Sequence, residues 1–124
     1  MPLYRCNAPA GSLSADHKQQ IAETITEAHC DVTGAPRSFV HVFFFDTEPA
    51  GSLHKVRGTI RAGRSDEQKR SIWNRIAGSY STITGLPQEQ ISVKTADIPS
   101  SWNMEGGRIL PEPGEEAAWM AAQP

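Results

Sequence analysis

Apolar positions along the chain follow two alternating periods, and the alternation occurs twice. From Ser14, Ile21, Ile25, Ala28 and Val32 recur at helical spacing, and from Ser65, Ile72, Ile76 and Ile83 do the same. Each stretch begins at a serine suited to cap a helix N-terminus, and Ser65 is followed three residues later by Gln68, the spacing of a capping box. Each stops at a glycine, Gly34 or Gly85, with a proline two residues beyond. A strand pattern follows each helix: Phe39 to Phe45 after the first, Gln90 to Ala96 after the second. Shorter extended runs precede them, Pro2 to Asn7 and Gly58 to Arg61.

The recurrence is also a sequence repeat. Shifted by 51 positions, Ser14–Pro36 falls on Ser65–Pro87 without a gap, with identities at Ser14/Ser65, Lys18/Lys69, Ile21/Ile72, Ile25/Ile76, Thr33/Thr84, Gly34/Gly85 and Pro36/Pro87. The order is therefore β-α-β twice, an α/β fold with repeats over about residues 2–46 and 58–96. A helix of this length between two strands suits a right-handed parallel crossover. Two helices cover one face of a four-stranded sheet. The nearly unbroken apolar run Phe39–Phe45 predicts a strand covered on both faces, so the second face is expected to pack against further copies of the chain. The segment 100–124, rich in Gly, Pro and Ser, has one short apolar run, Arg108-Ile109-Leu110, which reads as a late strand or an arm reaching a neighbouring subunit.

At 124 residues the chain is expected to be one domain with a single core. A net charge of −2 argues against nucleic acid as a partner. No apolar run approaches the roughly 20 residues of a membrane span, and Met1–Asn7 lacks the basic and apolar regions of a signal peptide. The expectation is a cytoplasmic protein in which Cys6 and Cys30 stay reduced. Affinity for anions must then come from a few placed cations.

Candidate chemistry begins with Pro2. A small second residue lets Met1 be removed, and the mature chain would start with a secondary amine. Free α-amino groups titrate near ~8, and burial or nearby cations bring such a group into the range of a general base at neutral pH. Arg61 and Arg64 flank Gly63 just before the helix-capping Ser65. A helix N-terminus favours anions, and two guanidinium groups at its lip suit a carboxylate; two solvated loop arginines are the plainer alternative. His29 lies on the flank of the first helix's apolar stripe, and Glu105 is an acid in the loop Trp102-Asn103-Met104-Glu105-Gly106-Gly107. A structural histidine and a solvated loop acid are the plainer readings of these two. No His, Cys or carboxylate pair has a familiar zinc spacing, and His17 and His29 lie ~120° apart around a helix. Neither metal nor cofactor is expected.

Pro2 on a duplicated β-α-β unit, Ala28-His29 before Thr33-Gly34, Arg61-Ala62-Gly63-Arg64-Ser65, and Glu105 to Gly114 together resemble the tautomerase superfamily, and within it cis-3-chloroacrylic acid dehalogenase and its homologues. The resemblance implies a homotrimer, Pro2 as catalytic amine, Arg61 and Arg64 holding a substrate carboxylate, His29 assisting in binding or polarisation, and Glu105 matching a water-activating acid. The tyrosine that partners that acid in the dehalogenase corresponds here to Lys94. If Lys94 lines the pocket, its charge lowers the Pro2 pKa and occupies Glu105, favouring a base over hydration chemistry. The expected activity is enol–keto tautomerisation of small 2-oxo or 2-hydroxy-enoic acids such as phenylpyruvate. The alternatives are a cis-3-haloacrylate dehalogenase or acrylate/propiolate hydratase, and a non-enzymatic ferredoxin-like binding module.

Overall fold

A computed structural model describes residues 1–122. The elements run β1 (Leu3–Pro9), α1 (Ala15–Thr33), β2 (His41–Glu48), β3 (His54–Arg61), α2 (Asp66–Thr84), β4 (Ile91–Ile98), β5 (Met104–Glu105), β6 (Arg108–Ile109) and α3 (Glu116–Ala121). β1 to β4 form one sheet in the order β2-β1-β3-β4. β1 runs parallel to β2 and β3 parallel to β4, while β1 and β3 meet antiparallel at the centre. That is the expected duplicated β-α-β unit. Joining the two units antiparallel puts the start of β1 and the end of β3 at one end of the sheet: Leu3 pairs with Thr59.

Local chemistry explains the helix limits. Ser14 and Ser65 each accept from the backbone N–H three residues on, and the side chains of His17 and Gln68 accept the reciprocal bonds. Both helices end at the expected glycine, with Gly34 N bonded to the Cys30 carbonyl and Gly85 N to that of Ser81. The edge strands begin later than the apolar pattern predicts. Arg37–Phe39 and Gln88–Gln90, each following a proline, form single 3₁₀ turns whose last residues, Phe39 and Gln90, are the expected first residues of the strands.

The core lies between the helices and one sheet face. Tyr4, Cys6, Ala8, Val56 and Ile60 from the sheet meet Ile21, Ile25, Ile72 and Ile76 from the helices. Burying such side chains contributes about 1.5–3 kcal/mol each. Gly58, opposite Tyr4 in the β1–β3 register, leaves room for that ring: a Cβ there would sit 2.5 Å from Tyr4 Cε1. Each repeat also ties strand to helix by one histidine–tyrosine contact, with the residue types exchanged. Tyr4 Oη lies 3.0 Å from His29 Nδ1, and His54 Nδ1 lies 2.6 Å from Tyr80 Oη.

Within one copy the helices cover one face of β2, as expected: Val42 and Phe44 pack towards the core, and Phe43 and Phe45 remain 53% and 44% exposed. β2 is an edge strand and both long helices lie on the same face, so nothing in one copy reaches the other side. The tail also holds more structure than expected. Arg108–Ile109 pairs with Met104–Glu105 in a short ribbon, and α3 follows it. No helix among the described residues is long and apolar enough to cross a membrane. Cys6 and Cys30 are free thiols.

Candidate active site

The candidate site gathers where β1 begins, β3 ends and the β5–β6 ribbon folds back. Pro2 is buried, and its carbonyl accepts from the His41 N–H at 2.9 Å, which anchors the chain start to β2. The terminal ammonium of Met1 donates to Glu105 Oε2. Glu105 reaches that position because Gly106 and Gly107, both at positive φ (58° and 78°), form the two-residue turn between β5 and β6. Such a turn needs two left-handed residues, which consecutive glycines adopt without steric cost. Two residues more than a hundred positions apart in sequence thus meet.

His29 comes from the last turns of α1, buried beneath the start of β1. Burial first, and then the charges of Arg64, Arg61 and the chain terminus, bring its pKa down to about 3. It is therefore neutral at neutral pH. Burial also raises the Tyr4 hydroxyl well above its ordinary value, so Tyr4 stays protonated. When that hydroxyl donates to Nδ1, the imidazole carries its proton on Nε2, a buried atom without a partner among the described residues.

The two arginines are not equivalent. Arg61 is 2% exposed; it donates Nη1 to the Pro111 carbonyl at 2.8 Å and Nη2 to Glu116 Oε1 at 2.7 Å, and it lies 5.4 Å from the Phe39 ring centroid. Arg64, 8% exposed, has Nε and Nη1 buried with no hydrogen-bond partner, and it forms no ion pair among the described residues. Desolvation, followed by the repulsion of Arg61, pulls its pKa below the ordinary value, against the opposing pull of Glu116, Tyr4 and Asp97. A buried, unsatisfied guanidinium is costly unless something accepts its hydrogen bonds. Arg64 and His29 Nε2 together present donors suited to an anion whose charge sits on oxygen.

Glu105 also lines a hollow of about 240 Å³ with Ser38, Phe39, Gly106, Trp119 and Met120. Lys94 stands elsewhere in the subunit. Strand alternation places it with Ser92 and Ala96 on the sheet face away from the helices, where it lines a hollow of about 390 Å³ with Arg5, Arg57 and Thr59. β4 is an edge strand, and Lys94 Nζ lies 4.6 Å from the Trp73 ring centroid. The expected Lys94–Glu105 pair does not form among the described residues; Glu105 is engaged by the chain terminus instead. The structure thus brings Pro2, His29, Arg61, Arg64 and Glu105 to one end and leaves Lys94 out of that group.

Sequence reasoning missed Tyr4, Glu116, Trp119 and Arg108 at this end. Trp119 meets Phe39 edge-on at 5.6 Å between centroids and donates Nε1 to the Ile109 carbonyl at 2.7 Å. Arg108, opposite Glu105 in the ribbon, lies 4.8 Å from the Trp119 ring. The one signal for α3 was the run Ala117-Ala118-Trp119-Met120 after Gly114 in an otherwise polar tail.

Comparison with known proteins agrees with this fold. The family described as putative oxalocrotonate tautomerase enzyme matches residues 1–62, and the family described as tautomerase enzyme matches residues 56–109. No curated protein matches the sequence. Among solved structures, a member of the cis-3-chloroacrylic acid dehalogenase family is similar over 99% of this chain and 93% of its own, at 29% identity and a TM-score of 0.92. Native Ps01740 is 39% identical over 84% of this chain and all of its own length (100%), with a TM-score of 0.80. A fused 4-OT described as an asymmetric trimer shares the fold at 23% identity, over 87% of this chain and 95% of its own, with a TM-score of 0.76.

Proposed function

This chain belongs to the tautomerase superfamily, and we propose that it is an enol–keto tautomerase of small 2-oxo and 2-hydroxy-enoic acids such as phenylpyruvate. The observation that carries this reading is the buried guanidinium of Arg64, with two unpartnered nitrogens, beside the neutral imidazole of His29 at the end where the chain begins. Arg64 receives the substrate carboxylate. The His29 Nε2–H donates to the adjacent oxygen, where charge develops in the enolate. Pro2, once Met1 is removed, is the base that takes the proton. While Met1 is present the Pro2 nitrogen is an amide and cannot serve. The exposed sheet face with Phe43 and Phe45 is covered by two further copies in a homotrimer; the similar fused 4-OT is described as a trimer.

A second reading is favoured by one contact. Glu105 bonded to the chain terminus stands where an acid would serve a water beside Pro2, the arrangement expected of a cis-3-haloacrylate dehalogenase or acrylate hydratase. The family member with a TM-score of 0.92 points the same way. Because Lys94 lies outside the pocket of its own subunit, it does not decide between the two; the tautomerase descriptions of both matching families support the first.

The test is ketonisation of enol-phenylpyruvate by protein whose intact mass shows that Met1 is absent, alongside chloride release from cis-3-chloroacrylate. Arg64→Ala should lower kcat/KM for the carboxylate substrate about 10²-fold, the scale of a lost charge-assisted bidentate contact. It should cost far less for a neutral enol ketone. Equal losses on both substrates would place Arg64 in structure, and chloride release without ketonisation would select the second reading.

A further inference from the structure

Arg61 and Arg64 stand three residues apart at one helix mouth, yet among the described residues the tail hydrogen-bonds only Arg61. Glu116, at the start of α3, accepts from Arg61 through Oε1 at 2.7 Å and from the Gly114 N–H through Oε2 at 2.9 Å. Its side chain is 12% exposed. Burial pushes its carboxyl up, but the hydrogen bonds from Arg61 and from backbone N–H groups outweigh it and hold the pKa below the usual carboxylate range. Glu116 is an anion at neutral pH. Arg61 has one nitrogen on Glu116, the other on the Pro111 carbonyl and its cation beside Phe39, so an incoming carboxylate finds no accessible edge. While Met1 is present, its terminal ammonium is matched by Glu105. Arg108 lies over Trp119 on the ribbon, with its Nη1 buried and without a hydrogen-bond partner among the described residues.

We infer that Glu116 determines specificity: it is a carboxylate supplied by the chain's own tail that occupies Arg61, so the site accepts substrates with one carboxylate, at Arg64, in preference to dicarboxylates. The inference rests on the reading of this end as a carboxylate-binding proton-transfer site, and adds how many carboxylates it takes. A second substrate carboxylate would enter a space that already holds Glu105 and Glu116, with Arg61 committed to Glu116. Its desolvation would go uncompensated and like charges would oppose it. Selectivity then comes from a repulsive element built beside the attractive one.

The experiment compares 2-hydroxypentadienoate, with one carboxylate, and 2-hydroxymuconate, with two, as substrates of the Met1-free protein. Wild type should favour the monocarboxylate in kcat/KM. Glu116→Gln, or Glu116→Ala where the first variant loses its native circular dichroism, should move the ratio towards the dicarboxylate by about 10-fold, the effect of one moderate charge interaction. A ratio that stays within about twofold in a folded variant overturns the inference, as does a wild-type preference for 2-hydroxymuconate. If wild type turns over neither compound, the tautomerase reading fails. Glu116 is then tested separately by calorimetric binding of butyrate and succinate to wild-type protein. Tighter butyrate supports the inference, and equal or tighter succinate overturns it.

Discussion

The Tyr4 hydroxyl on β1 lies 3.0 Å from Nδ1 of His29 on α1, with the two rings set edge to face at 5.9 Å. The contact fixes which imidazole nitrogen remains free beside Arg64. It also holds a neutral histidine where three positive groups act on it. Tyr4→Phe keeps the ring and removes the hydroxyl, leaving Nδ1 buried without a partner. The expected cost is about 1–3 kcal/mol in unfolding free energy. The imidazole is then free to carry its proton on Nδ1, so kcat should fall more than KM rises. A variant with wild-type kcat would show that the tautomer of His29 has no bearing on turnover.

Because His29 titrates at about 3 in the folded protein and near its ordinary 6.5 when unfolded, folding depends on pH with a definite sign. Between those values the unfolded chain binds the extra proton. His29 thus contributes fully above pH ~6.5, and that contribution is lost progressively as pH falls towards ~3. Within this window the slope approaches about 1.4 kcal/mol per pH unit. Urea unfolding of wild type and His29→Gln from pH 4.5 to 7.5 checks this: the difference in stability between them should shrink or change sign as the pH drops. A difference independent of pH would contradict a neutral buried His29.

Pro2→Ala replaces the secondary amine with a primary one and should lower ketonisation of enol-phenylpyruvate by at least ~10²-fold, the usual scale for a displaced general base. Mass spectrometry must first show that both proteins have lost Met1. An unchanged rate would remove Pro2 from the chemistry and leave Arg64 and His29 as a binding site only.

Gly58→Ala puts a methyl group 2.5 Å from Tyr4 Cε1, across the β1–β3 pairing. The Tyr4 ring must move, and overpacking of this kind typically costs about 1–3 kcal/mol. Thermal unfolding should show a lower Tm, and activity should fall by more than the unfolded fraction explains, since the moved ring also supports His29. A Tm equal to wild type would mean that Tyr4 has slack the packed core does not reveal.

What could be read from the chain depended on how local its cause was. Ser65 with Gln68, and Gly34 with Gly85, announce helix ends through bonds spanning a few residues, and the folded chain makes those bonds. The 51-residue repeat carried the topology, because each β-α-β unit is constrained by the same crossover geometry. Phe43 and Phe45 were legible only in part: an apolar run shows that both faces of a strand are to be covered, and in one copy these two rings stay exposed. Arg61 and Arg64 looked alike because their difference lies 55 positions away, at Glu116, where no periodic pattern marks a partner. Lys94 was placed by correspondence with another protein. Strand alternation alone puts it on the face opposite Val93 and Thr95, and its ammonium rests on Trp73.

The exchanged histidine–tyrosine pairs bear on how the two halves have diverged. His29 and Tyr80 occupy the same place in the repeat, yet the loop positions that hold Arg61 and Arg64 in the second half hold Ala10 and Leu13 in the first. Leu13 is buried in the core, so the first half has filled with hydrocarbon the space its twin leaves to a guanidinium. One loop holds a buried leucine where the other holds a buried guanidinium. Substitutions should therefore be tolerated unequally: hydrophobic exchanges at Leu13 register only as changes in melting temperature, while any change at Arg64 registers in turnover. A mutational scan of the two loops would draw that boundary at the central pair of strands.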